Sequence, residues 1–228
     1  MSFPAPQSNA APRPARVVII EDHPVVRDGL VQLAKGGAHL EVLEAVGDEQ
    51  SALDAVRRHE PDLVLADLML GGRDGLGMIA ALTEQVPGAR ILVLSMMNEA
   101  VYAERALRAG ALGYVMKSAE TDEVLLAIRS VLEGRVYLSP RIFVKVFRGI
   151  LHRSPASRVP GAEGLSDREL HVFQLIGSGM PNREIAAQLG ISVKTVEAHR
   201  ENLKNKLGLQ DAAELANAAS LFVNSLSR

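Results

Sequence analysis

The sequence contains no cysteine and no tryptophan. The first absence excludes disulfide staples, thiolate zinc sites and cysteine nucleophiles. The second, with aromatic residues at only 4%, argues against recognition of nucleic acid by stacking bases on aromatic platforms. No apolar run approaches the roughly 20 residues that a bilayer-spanning helix needs. The N-terminus is rich in Pro and Ala and lacks the apolar core of a secretory signal. A surplus of one charge is missing too: 25 Lys and Arg against 27 Asp and Glu leave −2 over 228 residues. The total gives no electrostatic reason to suspect nucleic acid. What remains is a soluble intracellular protein whose 47% apolar residues suffice for one large core or two modest ones.

The near-neutral total is a cancellation. Residues 16–133 hold 11 basic and 19 acidic residues, a balance of −8, whereas 134–162 hold 6 basic and no acidic ones. Residues 163–228 are close to neutral, with 7 basic and 8 acidic. The distribution therefore removes the argument that the total makes against nucleic acid. The basic stretch is expected either to contact phosphates or to dock on the acidic segment.

Four segments follow. Residues 1–15, with Pro4, Pro6, Pro12 and Pro14, read as a flexible tail. Residues 16–135 alternate short apolar runs (Val17–Ile20, Val42–Val46, Leu63–Ala66, Ile91–Leu94, Tyr114–Met116) with stretches of helical spacing at 24–35, 49–59, 75–86, 98–109 and 121–133. Thr121 ahead of Asp122 and Glu123 is a helix start, and Gly134 a stop. Five buried strands alternating with five helices predict a parallel sheet covered on both faces. Residues 136–161 are a basic connector whose Ile142, Val146 and Ile150 allow an amphipathic helix over 140–151. Residues 162–228 read as four helices. A capping box at Ser166–Glu169 opens 167–177, Asn182 caps 183–189, Ser192 caps 193–207, and Asp211–Glu214 opens the last. The second and third have the lengths of a helix-turn-helix.

Ligands of open α/β sheets bind outside the carboxyl ends of the strands. The residues at those ends are Glu21, Asp22, Asp67, Ser95 and Lys117. Clustered carboxylates repel one another unless a cation sits among them, and an open set of oxygen ligands suits Mg²⁺. A hydroxyl and an ammonium beside such a site fit a transferring phosphoryl group, and one carboxylate could act as the nucleophile. Each acid taken singly also reads as a solvated loop residue.

These residues carry a resemblance. Glu21-Asp22-His23-Pro24, Asp67-Leu68-Met69-Leu70-Gly71 with Gly75, Ser95, and Tyr114-Val115-Met116-Lys117 resemble the receiver domain of two-component response regulators. The resemblance implies a doubly wound, flavodoxin-like α/β fold of five parallel strands in the order 2-1-3-4-5. It makes Asp67 the acceptor of phosphate from a sensor histidine kinase. It assigns Mg²⁺ to Glu21, Asp22, Asp67 and the Met69 carbonyl, and phosphoryl contact to Lys117 and Ser95. Tyr114 is the switch that swings inward behind Ser95. Two positions depart from the family: Gly71 and Ser118 stand where Pro is usual. His23 reads as a loop residue, since hard Mg²⁺ prefers oxygen. Met69 and Met97, two residues beyond Asp67 and Ser95, would border the path of the hydrolytic water and make the acyl phosphate long-lived, or else fill part of the core.

The C-terminal segment resembles the LuxR-type DNA-binding domain through Leu165-Ser166-Asp167-Arg168-Glu169, Asn182-Arg183-Glu184-Ile185-Ala186, Ile191-Ser192, Thr195-Val196, His199-Arg200 and Lys206-Leu207-Gly208. Together the two segments resemble NarL/FixJ response regulators, bacterial and cytoplasmic. By that resemblance helix 193–207 enters the major groove of double-stranded DNA. Lys194, Thr195, Ala198, Glu201, Asn202 and Asn205 face bases or phosphates, and Arg200, Lys204 and Lys206 are phosphate candidates. Glu197, where many relatives carry Lys, would accept from a cytosine amino group or orient a neighbouring cation. Leu215, Ala218, Phe222 and Leu226 share one face of the last helix, for core packing or for contact between two bound domains. The implied protein is a transcriptional regulator and no enzyme, a homodimer when phosphorylated. A magnesium-dependent phosphatase and a phosphorylation-independent regulator are the alternatives. The first lacks a second general acid at Met69, and the intact charge cluster speaks against the second.

Overall fold

The computed structural model describes residues 13–37, 40–71, 73–144 and 164–226. Residues 1–12, most of the expected tail, and residues 145–163, with most of the expected connector helix, lie outside the described residues. The elements of the first part are β1 (Ala15–Ile20), α1 (Pro24–Gly37), β2 (Leu40–Val46), α2 (Glu49–His59) and β3 (Leu63–Ala66). A short hairpin, β4 (Met69–Leu70) with β5 (Arg73–Asp74), precedes α3 (Leu76–Gln85). Then come β6 (Arg90–Ser95), α4 (Glu99–Arg108), β7 (Gly113–Met116) and α5 (Thr121–Leu132). The five longer strands are all parallel, in the order β2-β1-β3-β6-β7. Counted along the chain, this is the expected 2-1-3-4-5.

Side chains alternate across a strand, and the near-continuous apolar runs therefore supply two cores. Val18, Ile20, Val64, Ala66, Ile91 and Val93 face the helices α2, α3 and α4. Val17, Ile19, Leu63, Leu65, Leu92 and Leu94 pack on the other side with Ala34 of α1 and Ala127, Ile128 and Val131 of α5. This two-sided burial is why the inner strands β1, β3 and β6 show no polar alternation, whereas the edge strand β2 carries Glu41 and Glu44.

Helix starts follow local chemistry. Asp48 caps α2 by accepting from the Ser51 N–H, and Asn98 caps α4 by accepting from the Ala100 N–H. Thr121 is the first helical residue of α5 and not its cap; the cap position is Glu120, which makes no side-chain capping bond. Gly134 ends that helix at φ 77°.

The second part is all helical: α6 (Asp167–Gly177), α7 (Asn182–Gln188), α8 (Val193–Leu207) and α9 (Ala212–Leu226). The capping box at α6 closes both ways, Ser166 N–H to Glu169 Oε2 at 2.9 Å and Glu169 N–H to Ser166 Oγ at 3.3 Å. Ser192 caps α8 through the Thr195 N–H at 3.0 Å. At α7 the expectation fails: Pro181 holds the cap position and Asn182 is already helical. Pro181 cannot cap, and the Asn182 side chain accepts from Arg200 at 3.4 Å instead. Helices α6 and α9 meet closely. Phe173 and Phe222 lie 5.5 Å apart between ring centroids, and a Cβ on Gly177 would sit 2.3 Å from the Ala219 carbonyl oxygen.

Between the two parts, residues 140–144 are helical. Leu138 and Ile142 are buried in an apolar cluster that includes Tyr102 and Tyr114 and continues to Phe222 and Leu226. Arg141 donates to the Leu226 carbonyl at 3.0 Å. It thus reaches the end of α9, a contact that is neither of the two expected for the basic stretch, phosphate or the acidic segment.

Candidate functional site

Strand register puts the chemistry at one edge. Ile20 lies beside Ala66, Ala66 beside Val93, and Ser95 beside Met116. The residues just past these pairs, Glu21, Asp67 and Lys117, consequently emerge together. Lys117 Nζ stands 2.5 Å from Glu21 Oε2 and 2.7 Å from Asp67 Oδ2. Glu21 is fully buried and Asp67 is 4% exposed. Burial holds the Asp67 carboxyl above its usual range, against the opposing pull of Lys117. Burial also disfavours the charge on Lys117, but the Asp67 and Glu21 carboxylates outweigh it and hold that ammonium above its ordinary value.

Three buried carboxylate oxygens here accept no hydrogen bond; Glu21 Oε2 and Asp22 Oδ1 have ion-pair partners in Lys117 and His23, which leaves the third. Among the described residues, Asp67 Oδ1 is buried without a hydrogen-bond partner. Such an atom is costly unless something else meets it, and an oxygen set of this kind suits a hard divalent cation. Asp22 contributes from the rim, where its Oδ2 accepts from the Gly71 N–H at 2.8 Å. His23 is largely exposed, with Nδ1 2.8 Å from Asp22 Oδ1 and 3.3 Å from Glu21 Oε1. Arg27 fixes the Glu21 carbonyl at 2.8 Å.

The Gly71 bond accounts for one departure from the family pattern. Gly71 sits at φ +55°, which proline cannot adopt, and its N–H, which proline lacks, holds Asp22. The sequence marks the position as unusual without revealing this bond.

Ser95 is buried at the end of β6, and its hydroxyl favours the charged form of Asp67. The Tyr114 ring is also fully buried, its hydroxyl donating to the Met97 carbonyl at 2.8 Å. Burial raises the Tyr114 phenol above its usual value. Met97 is 3% exposed and belongs to the core, as the core-filling alternative has it. Met69, in β4, remains half-buried.

On the helical part, Val196 and Leu203 anchor α8 in the core. Lys194, Thr195, Glu197, Ala198, Glu201, Asn202 and Asn205 are all exposed on its outer side. Two cations are engaged elsewhere: Lys204 pairs with Glu201 at 2.9 Å, and Lys206 with Glu169 at 2.7 Å, tying α8 to α6. Arg200 is half-buried against Asn182. On α9, Leu215, Ala219, Phe222 and Leu226 are buried while Leu221 is 63% exposed.

A doubly wound sheet with a Lys-bridged carboxylate pair at its carboxyl edge, followed by a helix-turn-helix with an open outer face, defines a receiver joined to a DNA-binding domain. Comparison with known proteins agrees. Residues 17–129 match the response regulator receiver domain, and 163–219 match the bacterial regulatory proteins of the luxR family. The chain is 33% identical over 209 residues to the oxygen regulatory protein NreC of Staphylococcus epidermidis, covering 90% of this chain and 96% of that one. It is 36% identical over 208 residues to NreC of Staphylococcus aureus, with the same coverage. A LuxR-family two-component response regulator from Aurantimonas superposes with a TM-score of 0.56 at 33% identity, over 60% of this chain and 98% of that one. RcsB of Salmonella typhimurium shares the fold over 92% of this chain and 99% of its own, with a TM-score of 0.54 at 22% identity. The chain belongs to the two-component response regulators of the NarL/FixJ family, DNA-binding transcriptional regulators and not enzymes in the ordinary sense. No helix among the described residues is long and apolar enough to cross a membrane.

Proposed function

We propose that this response regulator is switched by phosphorylation at Asp67 and that the switch raises its affinity, as a dimer, for a promoter operator in double-stranded DNA. The observation that carries the reading is the buried Asp67 carboxylate, with Oδ2 on Lys117 and Oδ1 unpartnered. A carboxylate oxygen so placed can attack the phosphorus of a phosphohistidine on a sensor kinase. The new O–P bond forms as the P–N bond breaks, and the imidazole leaves with the electron pair. Lys117 meets charge on the phosphoryl oxygens, and Ser95 offers them a hydroxyl. Mg²⁺ would be held by Glu21, Asp22, Asp67 and the Met69 carbonyl, and would neutralise charge on the group in transfer.

The outer face of α8 is exposed with the receiver in place. Phosphorylation therefore acts on how two domains are paired and spaced on DNA rather than by uncovering the reading surface. The exposed Leu221 on α9 is the contact we assign between two bound helical domains, which would match a two-fold operator. In this reading the residues ahead of β1 are a tail, the receiver starts at Ala15, one residue before the expected boundary, and runs to 135, 136–161 is the connector and 162–228 the DNA-binding domain, acting in the bacterial cytoplasm.

The test is DNA affinity with and without a small acyl-phosphate donor and Mg²⁺, using the genomic fragment that the wild-type protein enriches most. The wild type gains affinity and Asp67→Asn does not. Equal gains in both would overturn the reading.

A further inference from the structure

The start of the connector is fastened to the receiver by a carboxylate outside the phosphoryl site. Glu99 is the first residue of α4 and is 9% exposed. Its Oε1 accepts the backbone N–H of Ser139 at 2.8 Å, across 40 positions of sequence. A charge at the head of a helix is favoured by the helix dipole. Burying it is still costly, and the hydrogen bond it receives offsets that cost.

The same stretch of chain is fastened a second time. Tyr137 forms a parallel bridge with Gly113 at the open side of β7. The Tyr114 N–H donates to the Tyr137 carbonyl at 3.0 Å, and the Tyr137 N–H donates to the Leu112 carbonyl at 3.0 Å. Tyr114 thus holds the connector with its backbone while its hydroxyl holds the Met97 carbonyl at 2.8 Å. Met97, in turn, donates its N–H to Ser95 Oγ at 3.4 Å and lies two residues before Glu99. The contacts close a ring, Met97, Glu99, Ser139, Tyr137, Tyr114 and back to Met97, to which Ser95 is attached through the Met97 N–H. Just past the ring, Arg141 reaches the last turn of α9.

We propose that Glu99 is a positioning residue that couples the phosphoryl site to the connector, and through it to the DNA-binding domain. The inference rests on the phosphorylation-switched reading. When Ser95 is drawn toward a phosphoryl group on Asp67, the loop 96–98 moves with it. Glu99, at the end of that loop, then carries Ser139 along. Without the Glu99 carboxylate the connector keeps its bridge to β7, the Tyr137 hydroxyl on Glu123 and the packing of Leu138 and Ile142, but loses its hydrogen bond to the head of α4. The site would still take phosphate, but the helical domain would not register it.

The experiment uses the full chain as wild type, Glu99→Ala, Glu99→Leu and Glu99→Gln. Leu fills the buried volume, so loss of coupling in it is not loss of packing. Gln keeps an oxygen for the Ser139 N–H. Three quantities are read: the extent of phosphorylation by a small acyl phosphate with Mg²⁺, the melting temperature, and the gain in affinity on phosphorylation for the wild-type-enriched genomic fragment. For a coupling of ordinary size the wild-type gain is about tenfold. Glu99→Ala and Glu99→Leu should be phosphorylated to the wild-type extent yet gain less than about twofold, while Glu99→Gln keeps most of the gain. Full gains in Ala and Leu, or equal losses in all three variants, would overturn the assignment. A wild type with no gain at all would instead sink the phosphorylation reading on which it stands.

Discussion

Single residues decide whether the receiver edge is a site or a set of loop acids. Lys117 compensates two carboxylates at once, and Asp67 keeps one oxygen free of hydrogen bonds. Gly71 supports Asp22 from outside that group, by an N–H that the more usual proline would lack. Gly71→Pro should therefore release Asp22 and weaken Mg²⁺ binding, by the ~10- to 100-fold typical of losing a supporting hydrogen bond at a metal ligand. Gly71→Ala keeps the N–H and strains only the backbone, so it should weaken binding less; titration of Mg²⁺ into the two variants checks the order. A second residue carries a pH signature. Burial, and then the neighbouring Arg168, push the His171 imidazole down from 6.5 to about 4. Between those values the unfolded chain binds a proton that the folded chain refuses. Stability should therefore fall as pH drops from 6.5 toward 4, by up to about 3 kcal/mol in full. Urea unfolding of His171→Leu across that range should show a shallower acid limb than the wild type, and parallel limbs would contradict the assignment.

At the scale of elements, the outcome depended on whether a local pattern or a distant partner sets the structure. Strands β1, β3 and β6 and helices α2, α6 and α8 were legible because apolar spacing and capping residues are local signals. The capping box at Ser166–Glu169 and the Ser192 cap formed as their spacing implies. Asn182 did not cap, because Pro181 takes the cap position and Arg200, 18 residues on, takes the amide. Ser192→Ala should then cost about 1 kcal/mol of stability, and Asn182→Ala clearly less; thermal unfolding of the two variants ranks them. The hairpin β4–β5 was not legible, since two-residue strands show no periodicity. Met97 read as a residue of the water path or of the core, and only the packing of α4 against the sheet places it in the core. The Glu99–Ser139 bond had no sequence signal at all, because neither residue lies in a motif and 40 positions separate them.

The molecule as a whole divides its charge as it divides its tasks. The acidic surplus of residues 16–133 lies in the part that holds the Lys-bridged carboxylates, and the basic surplus lies in the connector. The helical domain stays near neutral, and its outward cations are few once Lys204 and Lys206 are paired. In the proposed reading phosphate contact by this domain alone is therefore weak, and the pairing of two domains, rather than the strength of one, is the quantity for phosphorylation to change. The central claim is that the state of Asp67 sets DNA affinity. It is tested most directly by binding of the wild-type-enriched genomic fragment to wild type and to Asp67→Asn, each with and without acyl phosphate and Mg²⁺. The account predicts a gain of about tenfold in the wild type, within the usual range of coupling between sites, and none in Asp67→Asn. An equal gain in Asp67→Asn, or no gain in a wild type shown to be phosphorylated, would contradict it.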